Sequence, residues 1–139
     1  MLTISHRGNI KGKDSNYENN PNHIQKLLNV GMNVEIDVWK VGDSLLLGHD
    51  YPQHLVDLKF LQNNGLWCHA KNLEALYFMG NSKIENYFWH EEDKYTLTSS
   101  GYIWTFPGQK VTSSSIIVDN TKNWKESNYD CYAVCSDYL

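Results

Sequence analysis

The stretch EIDVWKVGDSLLLGHD, residues 35–50, alternates polar and apolar residues, turns at Gly42 and Asp43, and returns as a second apolar run. Successive side chains of a strand point to opposite faces, so Glu35 and Asp37 share one face and their apolar neighbours share the other. Burying ionised carboxylates without partners is costly. This strand therefore either faces solvent or belongs to a site that uses charge.

Short strands and short helices alternate along the rest of the chain. Asn20 followed by Pro21 marks a helix start, and Gly31 marks the end of that helix. The predicted elements are a strand LTIS, a helix over 20–31, strands over about 33–39 and in SLLLGH, a short helix in HLVDLKFLQNN, a strand LWCHAK, a helix LEALYFMG, and strand-like runs NYFWH, KYTLTS, GYIWTF, SIIVD and YAVCSDY. This alternation predicts a mainly parallel sheet with helices outside it.

Length and composition predict one folded domain over residues 1–139. The net charge is −4 and the basic residues are scattered along the chain, so we expect no nucleic-acid partner. No run of eighteen apolar residues occurs, so we expect a cytoplasmic protein without an integral membrane segment. The three cysteines have no zinc-site spacing, and Cys68 and Cys135 are expected to be buried thiols.

Residues whose side chains could bind a ligand or transfer a proton lie on one strand face and at predicted strand ends. In LWCHAK, Trp67, His69 and Lys71 share a face. His6 and Arg7 follow the first strand, and His49 follows the returning strand. Ligand sites in parallel α/β folds gather at the carboxyl ends of strands. We therefore expect these groups to converge, although an acidic pair on a strand is also common on plain surfaces.

Groups that converge in this way could bind and cleave a phosphodiester. Arg7 could hold two phosphate oxygens and Lys71 could add a point charge. A divalent cation on Glu35 and Asp37 would polarise the phosphoryl group. His6 and His49 could divide the proton transfers as general acid and base.

The motifs SHRGN, YEN and VEIDVWKVGDSLLLGHD, followed by a strand carrying Lys71, resemble the glycerophosphodiester phosphodiesterases. The resemblance covers residues 4–50 in order and spacing and is patchier beyond them. It implies an α/β fold of the TIM-type (β/α) barrel class, and metal-assisted cleavage of a glycerophosphodiester to glycerol phosphate and an alcohol. It also implies catalytic roles for His6 and His49, phosphate binding by Arg7 and Lys71, and metal ligation by Glu35 and Asp37.

The chain departs from the family pattern in two ways. Family members usually carry a third acidic ligand where this chain has His69. One divalent ion, Mg, Mn or Ca, is expected, and Mn or Zn fits better if His69 ligates. The chain is also short for a TIM barrel, which typically needs about 250 residues. We therefore predict a compact barrel with several outer helices shortened or missing, and a second copy covering its exposed strands.

Other residues receive smaller roles. Trp104, His90 and Glu92 are candidate substrate contacts, and Asp137 is assigned no catalytic role. The expected substrate is a small phosphodiester, either a soluble head-group diester or a glycerol-phosphate-decorated glycan. Two alternatives stay open. One is a sphingomyelinase-D-like or phospholipase-C-like diesterase, and the other is a non-catalytic barrel that binds a phosphorylated polyol or sugar.

Overall fold

The computed structural model describes residues 1–139. Its strands are β1 (Leu2–His6), β2 (Asn33–Val41), β3 (Ser44–Leu47), β4 (His54–Val56), β5 (Leu66–Ala70), β6 (Tyr87–Phe88), β7 (Tyr95–Leu97), β8 (Ile103–Thr105), β9 (Ser115–Val118) and β10 (Ala133–Ser136). Its helices are α1 (Pro21–Asn29), α2 (Leu58–Leu61), α3 (Leu73–Gly80) and a 3-10 helix, Trp124–Ser127. None of the helices has the length and apolar character that crossing a bilayer requires.

The strands form one mixed sheet in the order β6-β5-β2-β1-β10-β9-β8-β7. The first seven of these strands pair in parallel, and β7 pairs antiparallel with β8 at one edge. The long strand β2 pairs with β5 along one edge, and along its other edge it pairs first with β1 and then with β3. The antiparallel strands β3 and β4 thus extend the sheet beside β2.

The sheet curls into an open half-barrel. Phe88 on β6 stacks on Trp104 of β8, with ring centroids 4.3 Å apart, although five strands separate β6 from β8 in the sheet. Only a curled sheet brings these side chains together, and they lie on its concave face. Trp67, Ile4 and Ile116 complete this interior.

Helices cover the convex face of β2 and β5. Val34, Ile36 and Val38 project from β2 into a core that receives Ile24 from α1 and Met79 from α3. Asn20 begins α1 as predicted, because its side chain accepts hydrogen bonds from two backbone N–H groups of the first turn. Cys68 and Cys135 are fully buried, as expected, and burial raises the pKa of both thiols. The helical layer is therefore confined to one half of the sheet.

The predicted TIM-type barrel is wrong. Strands account for 32% of the chain and helices for 18%, the sheet does not close, and α-helices occur only between β1 and β2 and between β4 and β6. A TIM barrel needs a helix after each of eight strands. Here the connections over residues 89–94, 98–102 and 106–114 are too short to return antiparallel to a strand as a helix.

The segment HLVDLKFLQNN also differs from its prediction as one helix. Residues His54–Val56 form β4, and the helix is restricted to Leu58–Leu61, capped by Asp57. The apolar spacing of Leu55, Leu58 and Leu61 is compatible with both structures, and pairing of β4 with β3 decides between them. Leu55 is consequently exposed at the outer edge of the sheet.

Candidate functional site

Two carboxylates and an imidazole meet on the concave face. Glu35 and Asp37 lie on β2, only 2% and 1% exposed, and the next strand places His69 directly opposite Asp37. Nδ1 of His69 lies 3.3 Å from Asp37 Oδ1 and 3.6 Å from Glu35 Oε1. One ligand atom from each residue lies within 4.8 Å of the others, as a shared cation requires. The structure therefore brings the three predicted metal ligands together.

This group contains buried atoms without partners. Glu35 Oε2, Asp37 Oδ1 and Arg7 Nε are buried and make no hydrogen bond. Leaving such atoms unsatisfied costs about 1–3 kcal/mol each, and more for charged groups. Two carboxylates and one imidazole nitrogen are a donor set that suits Mn²⁺ or Zn²⁺. The donor set and the unsatisfied oxygens both fit a bound divalent cation.

A backbone carbonyl orients the His69 ring. Nε2 of His69 lies 2.7 Å from the carbonyl oxygen of His90. A carbonyl only accepts, so Nε2 carries a proton and Nδ1 faces the carboxylates. Metal-binding histidines are commonly held in this way, with one ring nitrogen donating to a carbonyl or carboxylate.

The charges of this group are strongly coupled. Burial lowers the pKa of His69, but the nearby Asp37 and Glu35 outweigh burial and raise it to about 9. Burial raises the pKa of Asp37, but His69, Arg7 and Asn19 outweigh burial and hold it well below its usual range. Without a metal ion, protonated His69 is the counter-charge of the two acids. A metal ion would have to displace that proton.

His6 lies beside this group and is oriented by Asp137. His6 ends β1 opposite Glu35, with its Nδ1 2.8 Å from Asp137 Oδ1 and its Nε2 3.9 Å from Glu35 Oε2. Two groups lie near Nδ1 of His6, the Asp137 carboxylate at 2.8 Å and the side-chain amide nitrogen of Asn120 at 3.2 Å. We assign the His6 tautomer from the nearer group, the carboxylate. Nδ1 therefore donates to Asp137, and the lone pair of Nε2 faces the site.

Asp137 is the residue that the sequence interpretation missed. It directly follows β10, is buried, and accepts a second hydrogen bond from Asn9 at 2.8 Å. Burial raises its pKa, but His6, Asn9 and Arg7 together outweigh burial and lower it. The register pairs Ser5 with Ser136, so His6 and Asp137 leave adjacent strands side by side. The signal in the sequence was an acidic residue directly after the last strand. The sequence does not show that this strand pairs with β1, which carries His6.

Arg7 is held in an unusual conformation by its neighbours. Its φ of 59° lies in the left-handed region, and backbone hydrogen bonds to Glu35 and from Asn19 maintain it. Its guanidinium lies between Asp37, with Nε 3.4 Å from Oδ2, and Glu18. The Asn19 amide exchanges two hydrogen bonds of 2.9 Å with Asp37. Non-glycine residues in such conformations cluster at functional sites, where the surroundings enforce them.

His49 lies at the open side of Arg7 rather than against the acids. It shares a cavity of about 210 Å³ with Arg7 and Glu18, its side chain is 39% exposed, and Asp50 accepts from its Nδ1. Gly48 permits this turn, because a Cβ there would lie 2.0 Å from the Tyr51 carbonyl oxygen. Arg7 is thus the link between His49 and the acidic group.

The remaining predicted residues contribute no side-chain hydrogen bond or ion pair to this group, although the His90 ring lies 6.4 Å from the His69 ring. Lys71 follows β5, and its side chain makes no hydrogen bond or ion pair. Trp104 is 3% exposed in the aromatic interior. The His90 ring contacts the Asp93 carbonyl, and Glu92 is exposed. Their roles as substrate contacts stay predictions.

Searches against protein-family models, curated proteins and solved structures find no match for this chain.

Proposed function

We propose that this chain is a metal-assisted phosphodiester hydrolase that cleaves a glycerophosphodiester to glycerol phosphate and an alcohol. One observation carries the proposal. Buried, unsatisfied oxygens of Glu35 and Asp37 lie beside His6, whose Nε2 lone pair faces the site. Asp37 Oδ1 lies 3.3 Å from His69 Nδ1 outside hydrogen-bond geometry, and Glu35 Oε2 lies 3.9 Å from His6 Nε2. A divalent cation would satisfy both oxygens more fully than these contacts do.

Each group has a distinct role in the proposed reaction. A divalent ion held by Glu35, Asp37 and His69 would polarise the phosphoryl oxygens. Arg7 holds the phosphate from the cavity that it shares with His49. Lys71 is proposed as a second phosphate contact.

Proton transfers divide between the histidines. His6 Nε2 accepts the proton of the attacking hydroxyl as the new P–O bond forms. The ester P–O bond then breaks, and protonated His49 donates to the leaving alcohol oxygen. The nucleophile is either water or a glycerol hydroxyl, and the latter gives a cyclic phosphate that water opens.

A specific observation favours a second candidate, a half-barrel protein that binds a phosphorylated polyol or sugar without cleaving it. His69 stands close to both carboxylates, and as an imidazolium it neutralises part of the charge that a metal ion would neutralise. In that case Arg7 and His49 would bind the phosphate, and no metal ion would be needed.

Metal binding separates the two candidates. Mn²⁺ at about 100 times its Kd should raise the free energy of unfolding by about 2.7 kcal/mol in the native protein. Glu35→Gln keeps the side-chain size, removes a ligand charge and should abolish this gain in urea unfolding. Glu91→Gln, which changes an exposed carboxylate, is the matched control. An unchanged Mn²⁺ response in Glu35→Gln would refute the assigned metal site.

Cleavage tests the chemistry directly. Glycerophosphocholine hydrolysis in the presence of Mn²⁺ should fall about 10²–10⁴-fold in His6→Ala and in His49→Ala, since each removes one proton-transfer group. His54→Ala changes a histidine outside the site and should retain the native rate. Native protein that binds phosphate but cleaves no diester with any divalent metal ion would support the binding-only candidate.

A further inference from the structure

Five lysines that are scattered in the sequence lie on one surface of the fold. We define the lysine track as the residues that line three adjoining cavities beside Arg7, namely Lys11, Lys13, Lys26, Lys122 and Lys125. All five are exposed and none forms an ion pair. They are five of the 12 basic residues in a chain whose net charge is −4.

Shared residues show that the three cavities are neighbours. Lys13 lines both the cavity of His49 and Arg7 and a neighbouring cleft of about 510 Å³. Lys11 lines that cleft and also a third cavity of about 480 Å³, which contains Lys122 and Lys125. Lysines therefore follow one another along the surface from the cavity of the site to the third cavity.

Few carboxylates oppose this charge. Glu18 and Asp50 line the cavity of the site, where Glu18 lies near Arg7 and Asp50 accepts from His49. Asp14 is the one acidic side chain in the middle cleft, and no acidic side chain lines the third cavity. Excess positive charge along a groove attracts a polyanion and raises its local concentration.

The chemistry of the track favours an anionic chain without bases. Binding of single-stranded nucleic acid combines positive charge with aromatic rings on which bases stack. Three tyrosines line the cavities of the track. Tyr17 stacks on His23 at 4.4 Å and the Tyr138 ring packs against Gly12, so only Tyr51, in the cavity of the site, is exposed without a ring partner. Flexible lysines suit repeated phosphate charges that need no fixed geometry.

We infer that the substrate is a chain of repeated polyol-phosphate units, whose further phosphates lie on the lysine track while one diester occupies the site. This inference rests on the proposed function, because it names the substrate class of that site. It differs from the initial expectation of a small diester in requiring several phosphates at once.

Affinity without turnover tests the inference separately from catalysis. We would measure fluorescence anisotropy of labelled glycerol-phosphate oligomers of increasing length, with a chelator present, against native protein and two triple variants. Lys11→Gln, Lys26→Gln and Lys122→Gln together remove charge from the track. Lys59→Gln, Lys83→Gln and Lys94→Gln remove the same charge from exposed positions elsewhere.

The inference predicts that affinity rises with oligomer length and falls at least about tenfold in the track variant, with a shallower salt dependence. The control variant should bind like native protein. An equal loss of affinity in both variants, or no loss of affinity in the track variant, would overturn the inference that the lysine track binds the chain. Single-stranded DNA of equal charge that binds as tightly as the oligomer would overturn the choice of a base-free chain. Absence of diester cleavage would refute the proposed function but would leave these affinities readable.

Discussion

Two layers of side chains on the concave face come from the same strands and have opposite characters. Strand β1 contributes Ile4 and then His6, and β5 contributes Trp67 and then His69. The apolar layer contains Ile4, Trp67, Phe88, Trp104, Ile116 and Cys135, and the polar layer contains His6, Glu35, Asp37, His69 and Asp137. Along β1 and β5, two residues of strand, about 7 Å, separate the apolar side chain from the charged one. The two layers meet where Phe88 stacks on His69, with ring centroids 5.0 Å apart.

The two layers contribute differently to the stability of the fold. The apolar layer is filled by stacked rings, such as Phe88 on Trp104. In the polar layer, one oxygen each of Glu35 and Asp37 makes no hydrogen bond, and protonated His69 offsets part of the charge of the two acids. The same strands thus carry a packed apolar layer and, two residues further along β1 and β5, the reactive groups of the site.

The largest expected effect lies in the apolar layer. Trp104→Ala should lower the free energy of unfolding by about 3–5 kcal/mol, because it removes a buried ring from between two sides of the curled sheet. Urea denaturation monitored by circular dichroism measures this change. Trp104→Phe keeps a ring and should cost less. A loss below about 1 kcal/mol in Trp104→Ala would mean that the ring is not part of a packed interior.

The polar layer should make stability depend on pH. The folded-state pKa of His69 is about 9, above its ordinary value of 6.5, so its stabilising contribution is complete below pH 6.5 and is lost as pH rises through 9. The shift corresponds to about 3 kcal/mol at most. Urea unfolding of metal-free protein between these pH values measures the loss. His69→Gln should remove most of it, whereas Trp104→Ala should retain it.

A native profile that is flat over this range would contradict the contact of His69 with the two acids. Equal pH dependence in His69→Gln and in native protein would assign the titration to another group.

The smallest expected effect concerns Asp137, which acts through His6. Asp137→Ala should lower kcat for diester cleavage about 10–100-fold with little change in KM, because the Nε2 lone pair of His6 would no longer be held toward the site. Asp119→Ala changes the acid that follows the adjacent strand β9 and contacts Thr121 and Tyr129, so it serves as the control. Equal kcat in native protein and Asp137→Ala would show that His6 needs no such support.

Local signals located much of the candidate site. Period-two alternation placed Glu35 and Asp37 on one face and His69 on the matching face of another strand, and the structure agrees. The helix start at Asn20 was predictable because a cap depends only on the first turn. The segment around Leu55 was not, because its apolar spacing fits both strand and helix.

Amino-acid order alone determined which side chains share a face and where α1 begins, since strand pleating and capping act over a few residues. Tertiary structure decided that the sheet curls without becoming a TIM barrel, that Asp137 holds His6, and that distant lysines lie on one surface. These outcomes depend on strand register and curvature between segments more than a hundred residues apart, as for His6 and Asp137. No local periodicity specifies such pairings.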